Sequence, residues 1–156
     1  MSKNKVAVNS REKILTLEKS LINVSDGVSV EGDGNKIVRN SNIAPIKHSF
    51  ADGIYIRQMD MVEGSFVIGA IHKHLHVWFL MTGNITVATE DTTEDYIAPC
   101  YVVSTPGVKR VIKANKDSIF VNVHKNPTNT KDLNKLEEEV VALNYKEYEE
   151  YINKNK

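Results

Sequence analysis

The stretch Phe66-Val67-Ile68-Gly69-Ala70-Ile71, His72-Lys73-His74-Leu75-His76, Val77-Trp78-Phe79-Leu80-Met81, Thr82-Gly83-Asn84 and Ile85-Thr86-Val87-Ala88 decides how this chain folds. Its apolar pieces are brief, rich in β-branched and aromatic residues, and broken by glycine, asparagine or a polar run. That is the pattern of short strands joined by turns. Similar pieces lie on either side: Ile54 to Met59 before it, then Tyr101 to Val103, Val108 to Ile112 and Ile119 to Val123 after it. Upstream, Val28-Ser29-Val30 and Lys36-Ile37-Val38 flank Gly32-Asp33-Gly34, a hairpin signal. No helix-length period separates these pieces, so they predict a sandwich or closed barrel rather than a parallel βαβ sheet.

The flanks read differently. The first nine residues are polar and predict loose chain, after which Ser10 caps a short helix carrying Ile14, Leu17 and Leu21 on one stripe. Beyond Pro127, Leu133, Leu136, Val140 and Leu143 recur at helical spacing among acidic residues. Asn144 with Glu147 resembles a capping box opening a second helix, whose Tyr148, Tyr151 and Ile152 pack on the barrel or on a partner. The chain thus divides into an N-terminal segment (1–24), a β domain (25–126) and a helical tail (127–156).

With 156 residues, one domain is the expected size. Twenty basic residues cancel twenty acidic ones, which removes the electrostatic footprint of a sequence-independent nucleic-acid binder. The apolar runs fall short of the ~20 residues a membrane-spanning helix needs, and no signal peptide opens the chain. A single cysteine, Cys100, cannot form an internal disulfide and reads as a small buried hydrophobe. A reducing compartment, the cytoplasm, is expected. The aromatic surface of the tail predicts a homo-oligomer.

Three of the five histidines fall in His72-Lys73-His74-Leu75-His76. On one continuous strand His72, His74 and His76 share a face, because side chains alternate. With a tight turn between two strands, His72 and His76 instead face each other across the mouth. Either arrangement converges imidazoles that suit a divalent transition metal, and an exposed histidine-rich turn is the plain alternative. His124 closes the strand from Ile119, sharing a face with Asn122, and whether that face looks inward is open. His48 reads as a loop residue. Trp78 is either core or a platform beside a bound ring.

The segment from Gly64 to His124 resembles a cupin. Counting back seven residues from Gly83 reaches His76, where that family places a glutamate. Four more reach His72, its second histidine, while Ala70 holds the place of the first. Pro106-Gly107-Val108-Lys109-Arg110 fits the frame of its second motif, with Arg110 in the place of a histidine. These residues, together with His124 and the tail from Asp132-Leu133, are also similar to an uncharacterised group of cupin-like proteins of tailed bacteriophages. The resemblance implies a small jelly-roll-like barrel and a viral origin, with the host cytoplasm as its location.

The changed positions make the mouth more cationic than a metal-dependent cupin, since an arginine always carries its charge. It then suits a small anionic or nucleotide-like ligand held by His72, Lys73, His76, Ser104, Arg110 and His124. A phage protein of this kind would sequester or sense a host metabolite or signal. Two other readings stand beside it: a metal-dependent isomerase, hydrolase or oxygenase using His72, His74 and His76, and a structural or assembly protein with no chemistry in the mouth.

Overall fold

The computed structural model describes residues 2–23, 27–33 and 36–156. The elements in chain order are α1 (Ser2–Ile22), β1 (Val28–Asp33), β2 (Lys36–Val38), β3 (Ile46–Ala51), β4 (Ile54–Met61), β5 (Phe66–Ile68), β6 (Ile71–His72), β7 (His76–Thr82), β8 (Asn84–Ala88), β9 (Thr93–Ile97), β10 (Cys100–Ser104), β11 (Val111–Ala114), β12 (Ser118–Lys125), α2 (Leu133–Val140), β13 (Val141–Ala142) and α3 (Tyr145–Lys154). The strands form a six-stranded sheet ordered β2-β1-β5-β11-β8-β9 and a five-stranded sheet ordered β10-β7-β12-β4-β3, while β13 pairs with β6 alone. The main sheets do not share a hydrogen-bonded strand, so the expected barrel is not closed; it is a mostly antiparallel two-sheet structure.

Alternation along the strands explains where the core sits. In β12, Phe120, Asn122 and His124 are buried while Ile119, Val121 and Val123 are partly exposed. Between the sheets, Met59, Met61, Val67, Trp78, Leu80, Ile85, Val87, Ile112 and Phe120 pack into one cluster, and Cys100 leans against it. Trp78 is therefore core, meeting Phe120 and Tyr96 with ring centroids 5.1 and 5.0 Å away. A fully buried Met, Leu, Ile or Phe in such a cluster is worth about 1.5–3 kcal/mol of transfer free energy.

Several expectations need correction. β3 and β9 are strands that the sequence reading left unassigned, and His48 lies in β3 rather than in a loop. The strand expected over 108–112 starts only at Val111, leaving Val108–Arg110 as irregular chain. The hairpin from β1 to β2 forms, but Gly34 lies outside the described residues. Helix α1 begins at Ser2, so Ser10 lies inside it and residues 2–9 are helical. Its inward stripe is Ile14, Glu18 and Leu21, with Leu17 36% exposed. Ile14 packs on Val30, Ile68 and Val111. One turn on, Glu18 Oε2 meets Lys109 Nζ at 3.0 Å, both side chains 2% exposed.

The tail also departs from a continuous stripe. Asp132 caps α2, accepting from the backbone of Asn134 and Lys135, and the helix stops at Val140 because Val141 turns extended. Residues 141–142 then pair with β6, Val141 opposite His72. Asn144 accepts from the N–H of Glu147, whose carboxylate in turn accepts from the N–H of Leu143, so the anticipated cap forms at α3. Tyr148 packs with Ile71 and Ala142, Tyr151 and Ile152 against that cluster, and Tyr145 also against the Ile14 cluster. The tail's aromatic residues are thus used inside the chain, which removes the surplus surface from which self-association was inferred. Among the described residues no helix is long and apolar enough to cross a membrane.

Candidate functional site

The histidine segment divides as the second sequence geometry anticipated. β6 ends at His72, residues 73–75 bend, and β7 begins at His76. This brings the His72 and His76 rings to 4.0 Å between centroids. The bend turns His74 away: its Nε2 lies 3.1 Å from the Glu139 carbonyl, and its ring sits edge-on to Tyr151. The same-face set of His72, His74 and His76 therefore does not form.

His124 takes the place that His74 vacates. The pairing of β12 with β4 and β7 sets Asn122 opposite both Arg57 and Trp78, which fixes the Asn122/His124 face inward. The His124 centroid lies 5.2 Å from that of His72 and 4.9 Å from that of His76. One ring nitrogen from each of the three lies within 4.8 Å of the others.

Arg110 completes this group from the irregular segment before β11. Its carbonyl accepts from the N–H of Gly69, Gly107 N–H donates to the His72 carbonyl, and Lys109 Nζ donates to the Gly69 carbonyl. Gly107 has φ +84°, and a Cβ there would meet the Tyr148 ring at 2.8–2.9 Å, so the Pro106-Gly107 turn requires glycine. These anchors leave Arg110 7% exposed, its Nη1 3.4 Å from Nδ1 of His72. Burial lowers its pKa to about 10, so it remains cationic at neutral pH.

The imidazoles, by contrast, are neutral. Burial first, then Arg110, lowers the pKa of His76 to about 4; burial, then His76, lowers that of His124 to about 3; burial, then both neighbours, holds His72 well below 6.5. His76 and Asn122 lie side by side, and the Asn122 side chain favours the protonated form of His76 a little, against the larger effects of burial and Arg110.

A cavity of ≈ 230 Å³ opens beside the rings. His72, Arg110, Asn122 and His124 line it together with Arg57, and α2 forms a wall through Leu133, Leu136, Glu137 and Val140. His76 abuts the lining rings but is not itself among the lining residues. Of the other predicted ligand contacts, Ser104 is buried opposite His76, its hydroxyl 3.4 Å from the Thr105 carbonyl, and Lys73 donates to the Glu138 carbonyl and sits over the Tyr151 ring. Neither lines the cavity.

Sequence reasoning missed the ionic part of the mouth. Glu31 accepts from Arg39 at 2.8 Å and from Arg57 at 2.6 Å, and Arg39 reaches Glu137 of α2 at 2.5 Å. Tyr55 stacks between His48 and His124 and bonds His48 Nδ1 through its hydroxyl at 2.8 Å. One signal was available: Arg57 stands two residues from Tyr55 and from Met59 in a strand, which puts it on the same face as both.

The fold resembles that of solved cupin structures. A cupin 2 conserved barrel domain protein from Leptotrichia buccalis superposes with a TM-score of 0.50 at 10% identity, covering 62% of this chain and 48% of that one. A cupin superfamily protein from Desulfitobacterium hafniense DCB-2 gives 0.49 at 11% identity, covering 57% and 83%. A cupin 2 conserved barrel domain protein from Salinispora arenicola CNS-205 gives 0.47 at 12%, covering 60% and 84%. The fold is of the cupin kind; these identities bear on fold alone. No protein-family model matches the sequence, and no curated protein matches it.

Proposed function

We propose that this protein binds a small anionic ligand in the cavity, with Arg110 as its anchor. One observation carries the reading: Arg110 is 7% exposed at the cavity wall, yet no carboxylate among the described residues lies within ion-pair distance of it. Arg39 and Arg57 already hold Glu31 and Glu137. A buried guanidinium without a counter-charge is costly, and an anion offsets that cost through a charge-assisted, bidentate contact. His72 and His124 add hydrogen-bond donors from whichever ring nitrogen carries the proton. If the sequence resemblance to tailed-phage proteins reflects origin, the use that fits is a viral protein sequestering or sensing a host metabolite.

The test is calorimetric titration of wild type and Arg110→Ala with acetate, inorganic phosphate, sugar phosphates and nucleotides. An anion bound by wild type should bind the variant about ten- to a hundredfold more weakly, or about 1.5–3 kcal/mol. Equal affinity of the two proteins would remove the proposal.

A second reading rests on a separate observation, the three neutral imidazoles with ligand nitrogens within 4.8 Å. The set fits a divalent transition metal, because three converging neutral nitrogens are ligands as they stand. His72, His76 and His124 would hold the ion, which when bound would supply Lewis-acid or redox chemistry. Arg110 opposes it through charge repulsion. Elemental analysis of protein purified without a histidine tag decides the point: stoichiometric zinc, nickel, manganese or iron supports this reading, and none removes it.

A further inference from the structure

On the reading that the cavity takes an anion, we infer the ligand's class: a compact monocarboxylate of about ten non-hydrogen atoms in all, most of them in an apolar body, smaller than a nucleotide and carrying a single negative charge. Size, wall chemistry and charge each point the same way.

The cavity measures ≈ 230 Å³. An apolar cavity of about 150 Å³ holds benzene, whereas sites for drug-sized molecules begin near 300 Å³. The space beside Arg110 therefore accommodates a ring or branched chain with one carboxylate.

Much of the wall is apolar. Met59 and Phe120 contribute from the five-stranded sheet, Val67 and Ile112 from the six-stranded sheet, and Leu136 and Val140 from α2. A bare oxyanion would leave these surfaces facing water, while an apolar body covers them and gains the transfer free energy of its own surface.

The charges lining the cavity come from Arg39, Arg57 and Arg110 against Glu31 and Glu137. Three positive charges less two negative leave one. The two glutamates are held by Arg39 and Arg57, so the surplus is localised on Arg110. The lining histidines His48, His72 and His124 are counted as neutral in this balance. A monoanion neutralises the site, whereas a phosphate dianion would bring a second, unmatched charge close to Glu31 and Glu137.

The experiment is a titration series on the full chain with acetate, benzoate, cyclohexanecarboxylate, inorganic phosphate and adenosine monophosphate, followed by calorimetry and repeated with Arg110→Gln. Benzoate or cyclohexanecarboxylate should bind at least tenfold more tightly than acetate, phosphate or the nucleotide, and should lose at least tenfold with Arg110→Gln. If phosphate or the nucleotide is preferred and depends on Arg110, the ligand class is wrong while anion binding stands. Acetate binding as tightly as benzoate, each dependent on Arg110, also overturns the class alone. If no member of the series binds in an Arg110-dependent way, anion binding itself falls. A gain of affinity for acetate over benzoate in Val140→Phe, which fills the apolar wall, would independently support the class.

Discussion

Nη1 of Arg110 stands 3.4 Å from Nδ1 of His72, so a permanent cation and three neutral imidazoles share one buried face. For the ligand-free and metal-free protein this fixes the sign of the acid response. The unfolded chain's histidines protonate near pH 6.5, whereas burial holds folded His76 at about 4 and His124 at about 3. Between those limits the unfolded state binds more protons. Stability is therefore full above about pH 6.5 and falls as the pH drops towards 4, by up to about 3 kcal/mol from His76 alone. Urea midpoints measured from pH 7 to pH 4.5 should decline steadily. Arg110→Gln should raise the His76 titration seen by NMR and soften the decline, and an unchanged midpoint over this range would contradict the placement of the rings.

The exchange of His74 for His124 makes a prediction about metals. Cobalt(II) binding, followed by its visible absorbance, should be lost with His124→Ala and retained with His74→Ala, whose ring faces the Glu139 carbonyl and Tyr151. The reverse order would restore the contiguous set.

Lys109 and Glu18 form an ion pair with both side chains 2% exposed, tying α1 to the segment that carries Arg110. Removing one partner of such a pair leaves a buried charge, so Lys109→Met should destabilise the chain by about 3–5 kcal/mol. Adding Glu18→Leu should recover most of that loss. A double variant no more stable than Lys109→Met in chemical denaturation would show that the charges are not coupled.

Self-association should use the five-stranded sheet and a second copy of the chain. Its outward side chains on β10, β7 and β12 are Tyr101, Val103, Val77, Phe79, Met81, Ile119, Val121 and Val123; Tyr101, Val103 and Met81 are 66%, 59% and 55% exposed. β10 is an edge strand, so two copies meeting antiparallel there extend the sheet and join the two faces, an arrangement closed by two-fold symmetry. Light scattering should give twice the 17.5 kDa chain mass at micromolar concentration. Tyr101→Lys combined with Val103→Lys should return 17.5 kDa, and a wild-type mass of 17.5 kDa throughout would end the prediction.

The residues that sequence alone could place are those whose neighbours in the chain determine them. Alternation puts Trp78 and His76 on one face, and the capping pair Asn144 and Glu147 opens a helix, because both depend on spacings of two or three residues. The inward face of His124 depends instead on the registers with β4 and β7, which a strand's own sequence does not contain. The diversion of His74 depends on a bend over residues 73–75 that Lys73 stabilises by reaching the Glu138 carbonyl, 65 residues on. Glu31 with Arg57 spans 26 residues and has no local signature at all. The full length of α1 escaped because its first turns carry no apolar stripe to reveal them.

The pairing of Val141 with His72 has a consequence for the order in which the protein is made. The histidine-bearing strand emerges from the ribosome well before its partner strand and the helical wall of the cavity, which come from residues 133–142. Tyr148, against which the Pro106-Gly107 turn closes, emerges later still. The two sheets can assemble while translation continues, yet the pocket stays unfinished until residues 133–148 have followed. Removal of residues 133–148 would therefore leave an open, ligand-incompetent mouth.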